Sequence, residues 1–185
     1  VNDYKQFANT FYSWTRDFSS VVYDGTHSDK RSDLITYQSY NEFSRGINSI
    51  PSSDANYTDN YKHIRRTNLL LQNAEAYAKP EDIKQYIGEA YFFRAYSYFD
   101  LLQLYGDVII TKKPLDITDP EMKVKRNDRS EVVDLIIDDL NHAVENLPAF
   151  KELTTEEEGR ISKEGAQAFL SRVALYLSLI HISEP

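Results

Sequence analysis

Apolar residues fall along this chain in five helical stripes separated by polar stretches, and the densest stretch runs from Gly88 to Asp107. Around it Ile83, Ile87, Tyr91, Arg94, Tyr98, Leu101 and Tyr105 recur at steps of three and four, which places them on one helical face. Phe92, Ala95, Phe99 and Leu102 widen that face around most of the cylinder. A helix apolar on nearly every side must be packed on nearly every side, so this one is predicted to be central. Pro80, Glu81 and Asp82 predict its start, with acids at the positive end of the helix dipole. Gly106 predicts its stop, since glycine takes the left-handed conformation without a Cβ penalty.

The other stripes are shorter. Tyr4, Phe7, Phe11, Trp14 and Phe18 predict a core-facing first helix with an aromatic stripe. Tyr57, Tyr61, Ile64, Asn68, Leu71 and Glu75 predict a second, with Leu70 and Ala74 flanking the stripe. Val132, Ile136, Leu140, Ala143 and Leu147 mark a fourth that Pro148 stops. Ala166, Phe169, Leu170, Val173, Tyr176 and Leu177 mark a fifth, capped by Ser162. Helices two and three, then four and five, read as antiparallel hairpins. The fold class is therefore all-α: irregular tetratricopeptide-like hairpins around a central aromatic-rich helix, with long loops. A strict repeat is not expected, because a polar connector, Asp116 to Arg129, separates the hairpins and the Trp-x-x-Leu-Gly start is missing.

Periodicity fails between residues 19 and 56, where Asp24-Gly25 signals a turn and Tyr37, Tyr40 and Phe43 begin a helix or irregular turn. Long loops of this kind often carry function. Two polar residues interrupt apolar stripes. Asn68 is expected to satisfy its amide on neighbouring backbone, because a buried polar group left unbonded costs roughly 1–3 kcal/mol. Arg94 is expected to lay its stem along aromatic faces and pair its fork with Glu89, Asp107, Asp138 or Asp139.

Composition sharpens this. The 185 residues include 14 Tyr and 9 Phe against one Trp, a bias suited to helix packing and to stacking on sugar rings. A net charge of −8 with dispersed basic residues argues against nucleic acid. Without cysteine there is no disulfide framework, thiol nucleophile or Cys-based zinc site. His27, His63, His142 and His181 lack metal-ligand spacing, and Asp24, Asp29 and Asp33 miss the calcium-loop pattern. Neither a P-loop, a dinucleotide fingerprint, His-Glu-x-x-His nor Gly-x-Ser-x-Gly is found, so no enzyme, cofactor or metal is expected.

Specific motifs point further. Gly88-Glu89-Ala90-x-Phe92-x-Arg94-Ala95-Tyr96-x-Tyr98-Phe99, followed by Tyr105-Gly106-Asp107-Val108, resembles the signature of the SusD/RagB family. Tyr61-x-x-Ile64-x-x-x-Asn68 and Gly159-Arg160-x-Ser162-Lys163-x-x-Ala166 resemble further landmarks of the same family, which together cover Tyr61 to Leu177. Ile109-Ile110 depart from its usual Pro-Leu.

The resemblance implies a surface-exposed, lipid-anchored outer-membrane protein that binds an oligosaccharide and works with a SusC-like TonB-dependent transporter. It implies a glycan-facing segment after the first helix, with Asp29 and Arg31 as ligand residues. Asn68, Arg94, Gly106 and Asp107 are assigned to structure. It also implies that residues 1–177 form the N-terminal helical portion of a longer domain. A signal sequence and an acylated cysteine would then lie upstream, since the chain opens at Val1 inside a helical pattern. Residues 178–185 leave the family pattern and read as an assembly scar. The alternative function is a helical-repeat adaptor that binds protein and no sugar.

Overall fold

The computed structural model describes residues 1–16, 49, 51–116 and 118–183. It divides into two compact units, Val1–Phe11 with Ala55–Pro185, and Tyr12–Asp54. The core belongs to the first unit. Its helices are α1 (Asn2–Asn9), α2 (Ala55–Glu75), α3 (Lys84–Tyr105), α4 (Arg129–Asn146) and α5 (Lys163–Ser183). The described residues hold no strand beyond one isolated antiparallel bridge between Val108 and Asn127.

Helix α3 is the central rod. Fourteen of its 22 residues are buried, and α1, α2 and α4 pack against it. Tyr98, Phe93, Leu101 and Leu102 are the largest side chains it buries fully. A 3-10 turn over Pro80–Ile83 leads into it, with proline in the first turn where its missing N–H is no loss. Gly106 ends it at φ +68°, its N–H bonded to the Leu102 carbonyl.

Contact order along the helices fixes their directions. Tyr57 meets Tyr105 and Asn68 meets Arg94, so α2 and α3 run antiparallel. Tyr91 stacks on His142 and Arg94 meets Asp139, so α3 and α4 are antiparallel too. Phe169 fits among Phe92, Tyr96 and Phe99, and Tyr176 packs edge-on against Phe99, so α5 runs parallel to α3. All five residues of the fourth stripe are buried, from Val132 to Leu147. The turn before α4 is closed by Glu131, whose carboxylate accepts the Asp128 N–H.

Two stripes differ from the sequence pattern. The first is α-helical only to Asn9 and tightens to a 3-10 turn over Thr10–Trp14. Thr10 and Thr15 bond their hydroxyls to carbonyls three residues back, a local alternative to the α ladder. Phe11 and Ala8 are the fully buried residues of this segment. In α2 the buried edge is rotated: Leu70 and Ala74 enter the core, while Leu71 is half-buried and Glu75 exposed. Pairing of Asn68 with Arg94 on α3 accompanies that rotation.

At Gly88, α3 lies close against the end of α4. A Cβ there would stand 2.9 Å from Leu147 Cγ and 3.0 Å from the Leu147 backbone nitrogen. Gly88→Ala should therefore lower stability. The helix-propensity gain of about 1 kcal/mol is opposed by an overpacking cost of roughly 1–3 kcal/mol, and a backbone atom cannot swing aside. A leftward shift of the urea midpoint checks it; a rightward one refutes it.

Candidate functional site

Two ion pairs tie α4 and the loop before α5 to the rod. Arg94 Nε and Nη2 reach Asp139 Oδ2 and Oδ1 at 2.8 and 2.6 Å, and its Nη1 donates to Asn68 Oδ1 at 2.8 Å. Of the four carboxylates the sequence offered, Asp139 takes the fork. Asp107 instead accepts the Arg129 N–H at the start of α4, and Asp138 is exposed. Burial works against the Arg94 charge, but the hydrogen bonds and charge of Asp139 outweigh it and hold the guanidinium protonated. Burial pushes the Asp139 carboxyl up, with the Arg94 bonds pulling the other way.

The second pair went unread in the sequence. Glu89, fully buried on α3, receives Arg160 Nε and Nη2 at 2.8 Å each. Arg160 also donates to Asn9 Oδ1 and lies over the Tyr86 ring. The available signal was a glutamate amid an apolar run, beside an arginine in a motif 71 residues on.

The Asn68 amide nitrogen continues the first network into the connector after α3. It donates to the Thr111 carbonyl at 2.9 Å, with the Lys113 carbonyl at 3.3 Å. The Thr111 N–H donates to the Tyr98 hydroxyl at 2.7 Å. The Tyr61 hydroxyl accepts the Ile109 N–H and donates to the Ile109 carbonyl. Asn127 holds the Ile110 N–H on its side-chain oxygen. Residues 109–113 are thus anchored to the helices by side chains rather than by pairing with a strand among the described residues. Burial drives the Tyr61 and Tyr98 hydroxyls well above the usual phenol range, so both stay protonated.

Between α2 and this connector opens a cleft of about 360 Å³. Tyr57, Thr58, Tyr61, Lys62 and Arg65 line it from α2, Ile109, Thr111, Lys113 and Leu115 from the connector, and Glu121 from the 3-10 turn Pro120–Lys123. Its walls are mainly apolar and its rim is charged. Lys62 pairs with Asp59 at 2.7 Å and Lys113 with Glu121 at 2.9 Å. Arg65 donates to the Leu115 carbonyl at 2.8 Å, with Asp116 4.0 Å away. The hydrogen bond from Lys62 holds Asp59 below the usual carboxylate range, and the one to Glu121 raises Lys113. Asp29 and Arg31 lie outside the described residues. Among the described residues no group of three His, Asp or Glu side chains could hold a metal ion, and no helix is long and apolar enough to cross a membrane.

The class these features define is a helical scaffold: hairpins locked by ion pairs, with a cleft at one edge. The family whose model matches residues 5–175 is SusD-like, described as starch-binding and associating with the outer membrane, and the chain belongs to it. A SusD-like protein of Formosa agariphila is 33% identical over 135 residues, covering 71% of this chain and 25% of its own length. Among solved structures, a SusD-like protein from Bacteroides fragilis superposes with a TM-score of 0.76 at 27% identity, over 94% of this chain and 34% of that one. A laminarin-binding SusD-like protein gives 0.65 at 31% identity, over 74% and 30%. The chain therefore spans a quarter to a third of the length of these relatives.

Proposed function

We propose that this chain is part of a surface glycan-binding protein that captures an oligosaccharide at the outer membrane and delivers it to a TonB-dependent transporter. The observation that carries the reading is the family match over residues 5–175, which spans the landmark residues of both buried ion pairs. Laminarin binding by a relative 31% identical to this chain gives the reading its substrate class. In it the protein binds and does not turn over its ligand, and a lipid anchor holds it at the cell surface. Asp29 and Arg31 contribute hydrogen bonds to sugar hydroxyls, while Asn68, Arg94, Gly106 and Asp107 keep the framework in place.

The test is calorimetric titration of the purified protein with neutral oligosaccharides, laminari-oligosaccharides included. Binding of at least one is expected, and D29A/R31A should weaken it tenfold or more. Wild-type affinity in that double variant would remove both residues from the site. Failure of every glycan to bind, with capture of a protein partner instead, would favour an adaptor. Glycan hydrolysis abolished by a single carboxylate substitution would make the protein an enzyme.

A further inference from the structure

We propose that the cleft between α2 and the connector after α3 is a saccharide subsite, holding one end of a neutral oligosaccharide. The proposal rests on the oligosaccharide-binding reading above and adds a site outside the Asp29–Arg31 segment. Three features of the cleft select this occupant.

The first is its lining. Tyr57 and Tyr61 stand side by side with ring centroids 4.8 Å apart, and Tyr57 is backed edge-on by Tyr105 at 5.2 Å. Tyrosine rings beside Ile109 give an apolar wall of the kind that takes the C–H face of a pyranose. The volume of about 360 Å³ lies near the lower end of the range for small-molecule sites, roughly 300–1,000 Å³.

The second is charge balance. Lys62, Arg65 and Lys113 bring three positive charges to the rim, and Asp59, Asp116 and Glu121 face them one for one. With its charges paired, the rim offers an anionic or a cationic ligand little net attraction. A neutral ligand with hydroxyls can instead donate to Glu121 and accept from the lysines, leaving the balance intact.

The third is rigidity. The cleft wall at Ile109 and Thr111 is fixed by the Tyr61 and Tyr98 hydroxyls and by the Asn68 amide, which Arg94 in turn orients. A preorganised wall spares the ligand the cost of ordering the loop. It also links the buried Arg94–Asp139 pair to the shape of the cleft.

The experiment uses the same oligosaccharide panel with Tyr57→Ala, which removes the apolar wall, and Thr58→Trp, which fills the cleft from an exposed helical position. Both should raise Kd at least tenfold for the glycan the wild type binds, with melting temperatures recorded for each. Hydrogen exchange at residues 109–115 should slow when that glycan saturates the wild type. If both variants bind with wild-type affinity, the subsite is wrong while the oligosaccharide-binding function stands. The cleft would then suit an apolar side chain of a protein partner. If the wild type binds no member of the panel, the subsite falls together with the function.

Discussion

Asp139→Ala is expected to lower the unfolding free energy by about 3–5 kcal/mol, the usual consequence of removing one partner from a buried ion pair. Arg94 would keep the Asn68 oxygen as an acceptor but lose both carboxylate bonds, in a place where its side chain is 7% exposed. At that exposure the stranded guanidinium would stay largely desolvated. At roughly 2–4 °C per kcal/mol for a chain of this size, the melting temperature should fall by several degrees or more. The double replacement Arg94→Met with Asp139→Leu should recover much of the loss, because the cost lies mainly in the stranded charge. Should Asp139→Ala melt within a degree of wild type, the pair does not hold α4 to the rod.

Arg160→Ala should be comparably damaging, again about 3–5 kcal/mol, because it takes the guanidinium from a carboxylate that is fully buried. The reciprocal Glu89→Ala should cost less. Arg160 is 10% exposed, lies over the Tyr86 ring, and keeps Asn9 as a hydrogen-bond acceptor, so its charge has other company. The asymmetry is the informative quantity: a double-mutant cycle in guanidinium should show R160A worse than E89A, with a large coupling between them. Equal and small effects would mean that this junction is fastened by apolar packing alone.

Much of the framework was legible because helix periodicity is local. Val132, Ile136, Leu140, Ala143 and Leu147 announce a buried face through spacing alone, and all five are buried. Gly106 announces a helix end, and a positive φ is found there. The aromatic density of Gly88–Asp107 announces the central helix, since no other arrangement buries a cylinder apolar all round. Where local chemistry competed with periodicity the pattern was less reliable. Thr10 and Thr15 bond back to carbonyls where the first helix tightens into a 3-10 turn, and the Asn68–Arg94 bond accompanies a turned buried edge in α2. The site was less legible than the scaffold. Tyr57 and Tyr61 read as ordinary stripe residues, and nothing in their spacing shows that a connector some 50 residues on folds back over them.

By itself, then, the sequence determined the number of helices in the hairpins, their order, the buried face of α4 and the family to which the landmarks point. Only the tertiary structure decided that Arg94 takes Asp139 and that Glu89 takes Arg160, 45 and 71 residues away. Only it showed that a connector anchored by side-chain hydrogen bonds walls a cleft against α2. The reason is physical: an apolar stripe depends on neighbours three and four residues off, whereas a charge pair or a cleft depends on where two helices cross.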